Sequence, residues 1–137
     1  SGHGTLTVND LGVVLAKAIS IGKEAGGVGT VNLDGATATG RSTITLVGGS
    51  GLLLAVGGSG TGTLNITNGA ILSTPTDCLV GYEPGATGTI VVSGAAAGNN
   101  AELRINGAMQ IARSLPDNAS AGGGNDRSDA DTLFTST

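Results

Sequence analysis

Residues 19–36 read ISIGKEAGGVGTVNLDGA, and residues 78–95 read CLVGYEPGATGTIVVSGA, the same phrase 59 positions later. Glycines match at 22/81, 26/85, 29/88 and 35/94, glutamates match at 24/83, and the apolar alternation agrees throughout. A chain that repeats itself at this scale is built by stacking units, none of which buries its apolar face alone.

A shorter motif runs inside the phrase. Four copies, GTLTV, GTVNL, GTLNI and GTIVV, start at Gly4, Gly29, Gly62 and Gly88. Side chains alternate across a strand with period two. The pairs Leu6/Val8, Val31/Leu33, Leu64/Ile66 and Ile90/Val92 therefore share one face, expected inward. The outward set is Thr5/Thr7, Thr30/Asn32, Thr63/Asn65 and Thr89/Val91. A second motif, ISIG at 19–22, LAVG at 54–57 and CLVG at 78–81, precedes the last three copies, with a weaker MQIA at 109–112. Glycine-rich corners join the two motifs, as tight bends with positive φ require.

The spacing of the GT starts, 25, 33 and 26 residues, matches two strands per turn of a parallel solenoid. The expected fold is all-β: a right-handed parallel β-helix of about four to five coils, in super-repeats near 4–61 and 62–120. An antiparallel sandwich or barrel is the competing fold, but it does not require like motifs in one strand register. Residues 11–21, LGVVLAKAISI, pass for a helix in isolation; their alignment with residues 69–80 predicts strand, corner, strand.

Composition agrees with stacked narrow layers. There are 26 glycines, no Trp, and two aromatics, Tyr82 and Phe134, so the core rests on small aliphatics. The net charge of −4 is unevenly placed: residues 1–114 carry six acids and five bases, and residues 115–137 carry four acids and Arg127. No basic patch or stacking aromatic set exists, so nucleic acid is not an expected partner. A single cysteine, Cys78, makes no internal disulfide and sits at an apolar repeat position. No signal peptide or membrane-spanning run is visible, and membrane insertion by this segment is not expected. The opening Ser-Gly-His reads as an expression scar or a processed end.

From Leu115 the pattern becomes an acidic Gly/Asp-rich tail or capping segment. Asn125, Asp126, Asp129 and Asp131 invite a calcium reading, but their spacing is not that of an EF-hand and a solvated loop is expected. The ending TLFTST supplies a candidate edge-pairing strand with Leu133 and Phe134. Sequons occur at Asn65 and Asn118.

With GTLTV, VGGSGTGTLNITNGA and VGYEPGATGTIVVSG in hand, residues 4–114 resemble the repeat regions of bacterial autotransporter passenger domains and related secreted surface proteins. The resemblance implies export to the bacterial cell surface or the extracellular space, and work in adhesion or aggregation. No outer-membrane barrel follows these repeats, so a fragment, an excised module or a small secreted relative is expected.

Chemistry is sparse. Glu24 and Glu83 occupy equivalent corners about 10 Å apart, a separation open to an inverting carboxylate pair in a polysaccharide-acting enzyme. Their neighbours Lys23 and Tyr82 are repeat-equivalent too, so solvated corners explain them better. The GGSGTG corner at 57–62 lacks the Gly-Lys-Ser/Thr ending of a phosphate loop. Thr5, Thr30, Thr63 and Thr89, beside Asn32 and Asn65, form the candidate ligand or assembly face, and a threonine ladder of this kind is also what an ice-binding surface presents. The expectation is a non-enzymatic structural or adhesive module without cofactor or metal, associating with itself or with a host or cell-surface ligand.

Overall fold

The computed structural model describes residues 2–111 and the backbone of 131–136. The expectations for the tail between them, calcium and the Asn118 sequon included, lie outside the described residues.

Four layers stack, each placing one short strand in each of three sheets. The first holds β1 (His3–Val8), β2 (Val13–Ala16) and β3 (Ile19–Ile21). The second holds β4 (Val28–Asp34), β5 (Thr43–Leu46) and β6 (Leu54–Val56). The third holds β7 (Thr61–Thr67), β8 (Ile71–Thr74) and β9 (Cys78–Val80). The fourth begins with β10 (Thr87–Ser93), puts out a hairpin of β11 (Ala95–Ala96) and β12 (Asn99–Asn100), and closes with β13 (Glu102–Ile105) and β14 (Met109–Ile111). A last strand, β15 (Asp131–Ser136), returns to the first sheet.

Three parallel sheets result: β1-β4-β7-β10-β15, β2-β5-β8-β13 and β3-β6-β9-β14. The chain is an all-β parallel solenoid of about three turns. Two expectations are corrected. A turn carries three strands rather than two, because the second sheet (VVLA, TITL, ILST, ELRI) shares no motif from coil to coil. The turn number falls below the expected four to five coils, because four motif copies mark four layers, and four layers are joined by only three turns. Residues 11–21 are strand, corner, strand, as their alignment predicts.

Register is strict. Gly4, Gly29, Gly62 and Gly88 stand in one column, and so do Leu6, Val31, Leu64 and Ile90. The inward columns make the core: Leu33, Ile44, Leu54, Leu64, Ile66, Leu72 and Ile90 have no solvent exposure. β7 and β10 alternate buried residues with half-buried or exposed ones, the period-two signature of a one-sided strand. Leu6 departs from its column by being 40% exposed, since it belongs to the first layer and is covered on one side only.

The corners between the third and first sheets explain the ΦxΦG motif. Gly22, Gly57 and Gly81 have φ of 66°, 74° and 66°, a region that side chains with a Cβ disfavour. These corners press on the GT glycine that follows. A Cβ on Gly29 would lie 2.7 Å from Gly22 N, and one on Gly88 would lie 2.6 Å from Gly81 N.

The 59-residue period has a structural cause. Coils two and four turn from the first to the second sheet through hairpins, bridged at Ala36–Arg41 and at Ala95–Asn100, while coils one and three use tight turns. Arg41 ties these corners together. Its Nε donates to Gly69 O at 2.5 Å, its Nη2 donates to Asn100 O, and its Nη1 meets Glu102 Oε1 at 3.0 Å.

Candidate functional site

The candidate face is the outer side of the first sheet. Thr5, Thr30, Thr63 and Thr89 stand directly above one another there, as successive parallel partners. The next column reads Thr7, Asn32, Asn65 and Val91. Asn65 Nδ2 donates to Asn32 Oδ1 at 2.9 Å, so the amides form a short ladder along the rod. This is the parallel-sheet form of cross-strand pairing, which stabilises the stack whether or not a ligand is present.

The sequence reading missed a column. Thr61 and Thr87 lie two residues ahead of Thr63 and Thr89, on the same side of their strands and beneath His3 and Val28. The T-G-T spacing at 61–63 and 87–89 is the signal that could have found it. The fourth column holds Asp34, Thr67 and Ser93. Asp34 Oδ1 accepts from Thr67 Oγ1 at 2.6 Å and from Asn68 Nδ2 at 2.7 Å, which fixes the corner at the edge of the face. β1, β4, β7 and β10 carry no Lys or Arg, and Asp34 is their only carboxylate. The face thus offers hydroxyls and amides on a grid of about 4.8 Å by about 6.7 Å. Columns that mix Thr with Val, Asn and His interrupt any second threonine ladder.

Leu133 and Phe134 lie on β15, in register with Thr89 and Ile90 of β10. They continue the same sheet.

The remaining candidates separate. Glu24 is strongly exposed and lies 3.8 Å from Lys23 Nζ. It lines a shallow groove of about 200 Å³ with Gly2, Gly22, Lys23, Gly27 and Val28, and Glu83 is not part of that groove. Backbone hydrogen bonds join the layers there: Ser59 N donates to Lys23 O and Glu83 N to Gly58 O, each at 2.9 Å. The GGSGTG corner has no amides to offer a phosphate, because those of Gly57, Gly58, Ser59 and Gly60 donate to Ile21, Gly22, Lys23 and Gly22 carbonyls. Cys78 is buried in the third sheet, and burial pushes its thiol up to about 12, so it stays protonated at neutral pH. Among the described residues, no three His, Cys, Asp or Glu side chains gather as a metal site would need, and no helix is long and apolar enough to cross a membrane.

Fold and face together define the chain as a parallel β-solenoid repeat module. No protein-family model, curated protein or solved structure matches the chain.

Proposed function

We propose that this solenoid is a non-enzymatic structural and adhesive module of an exported bacterial surface protein, and that it associates end to end through its open coils. One observation carries the reading. The inward columns are closed in the middle coils and half-open at both ends: Val14, Ala16 and Ile19 in the first coil, and Leu103, Ile105 and Met109 in the fourth, are only partly buried. Stacking two ends would continue the columns of the second and third sheets with apolar residues, as Leu103 over Val14 and Met109 over Ile19. Partly open apolar layers gain about 25 cal/mol for each Å² they cover. Among the described residues β2, β3, β13 and β14 are sheet-edge strands, and open edges favour the same union.

The resemblance of the GT repeats to autotransporter passengers supports the setting, an extracellular or cell-surface location. It also supports the right-handed coil, the hand that strand–crossover–strand units in one sheet adopt in about 98% of cases. The Thr/Asn face is the surface offered to a host or cell-surface ligand. A polysaccharide-acting enzyme is disfavoured by Glu24, whose nearest charged group is an exposed lysine. An ice-binding role is disfavoured by the mixed columns flanking Thr5–Thr89.

Light scattering with negative-stain imaging over a concentration series tests the assembly. The expected result is rods of one width whose length grows with concentration. A strict monomer at millimolar concentration would refute it.

A further inference from the structure

We infer that β15 occupies the place that the first strand of a second copy would take, so that assembly proceeds by strand exchange at β10. The inference rests on the end-to-end reading above and names the partner and the step that controls it.

β15 pairs with β10 over six residues, from Thr87–Asp131 to Val92–Ser136, and β1 pairs with β4 over six residues, from His3–Val28 to Val8–Leu33. β15 is therefore held like a layer of the solenoid, yet it continues the columns only in part, at Phe134 beside Ile90 and Thr135 beside Val91. It sets Thr132 beside Gly88, Leu133 beside Thr89 and Ser136 beside Val92. β1 of another copy, in the repeat register, would set Gly4 beside Gly88, Thr5 beside Thr89, Leu6 beside Ile90 and Val8 beside Val92. All four match the ladders that run through the rod.

Gly4 points to a further layer beyond β1. Its column mates Gly29, Gly62 and Gly88 are forced to be glycine, because a Cβ on each would strike the backbone of a preceding corner. A Cβ on Gly4 would meet nothing within 4 Å. A glycine inside a strand weakens it, and among the described residues Gly4 has no close approach to repay that.

β15 alone cannot satisfy the open end. Among the described residues it adds a fifth strand to the first sheet only, while the second and third sheets are four deep. A second copy would present β1, β2 and β3 together and extend all three. An intramolecular strand has the advantage of high effective concentration. The incoming copy has the better ladder match and two further sheets, so exchange favours it as protein concentration rises.

The test uses three forms of the full chain in the concentration series. Leu133→Pro/Phe134→Pro removes N–H donors from adjacent residues of β15, one of which faces β10 in a parallel pair. This double variant should form rods at about tenfold lower concentration than the unaltered chain. A peptide of residues 130–137 added in trans should suppress that gain. Gly4→Val should keep the thermal melt of the monomer and abolish growth. Rods that form equally well in the unaltered and double-proline chains, with no peptide effect, would overturn the exchange and leave end-to-end association standing. The absence of rods in every form would overturn both. Rods from Gly4→Val as readily as from the unaltered chain would overturn the placement of β1 against β10.

Discussion

Arg41 Nη1 lies 3.0 Å from Glu102 Oε1, although 61 residues and two layers of the solenoid separate them. The guanidinium is mostly buried, and it also donates to Gly69 O, in the layer between, and to Asn100 O. One side chain thus ties coils two, three and four at the hairpin corner.

Arg41→Ala should cost about 1–2 kcal/mol, measured by urea unfolding, because two backbone carbonyls and a carboxylate lose a donor at once. Arg41→Lys should recover little, since an ammonium cannot span three acceptors in a planar fork.

The hydrogen bonds from Arg104 Nε, at 2.6 Å, and from Arg41 hold the Glu102 carboxyl below the usual carboxylate range. A depressed folded-state pKa contributes stability that is present above the unfolded value and is lost as pH falls through the folded one. The unaltered chain should therefore lose stability in acid faster than Glu102→Gln, below about pH 4.5. Parallel acid-unfolding curves for the two would contradict the assignment.

Leu64→Asp should unfold the rod and Thr63→Ser should leave its melt nearly unchanged. Leu64 has no exposure at the centre of a column, and an unpaired carboxylate there costs more than about 4 kcal/mol. Thr63, its neighbour on the outer face, is half-buried and keeps its hydroxyl as Ser. Similar melts for the two variants would reverse the inward and outward assignment.

Cys78 should resist alkylation in the native state and react fast in denaturant. Its thiol keeps its proton up to about 12 in the fold, against 9.0 for an ordinary thiol. Between these values the unfolded chain binds fewer protons, so stability should fall as pH rises through that window. Cys78→Ala should flatten the fall, read by thermal melts from pH 8 upward.

The parts of this fold that were legible in sequence are those under the tightest steric rule. Gly29, Gly62 and Gly88 sit under a corner that excludes a Cβ, so the GT motif recurs and marks the first sheet. Gly22, Gly57 and Gly81 need positive φ, so the ΦxΦG motif recurs and marks the third. The second sheet obeys only inward apolarity, and even that gives way at the buried Thr74. Its outward positions run from Val13 and Leu15, 72% and 68% exposed, to Glu102 and Arg104, and no motif survives such variety. That is why the third strand of each turn escaped notice and why residues 11–21 looked helical. The Thr/Asn ladder was legible because its members keep one register. Arg41 was not, because its partners Gly69, Asn100 and Glu102 meet only when coils stack.

The most direct test of the account is fibre diffraction from aligned assemblies of the unaltered chain. End-to-end stacking runs the backbone hydrogen bonds along the rod, so the account predicts a reflection near 4.8 Å on the meridian, parallel to the rod axis. Assemblies whose 4.8 Å reflection lies on the equator would show side-to-side packing of solenoids and would contradict it.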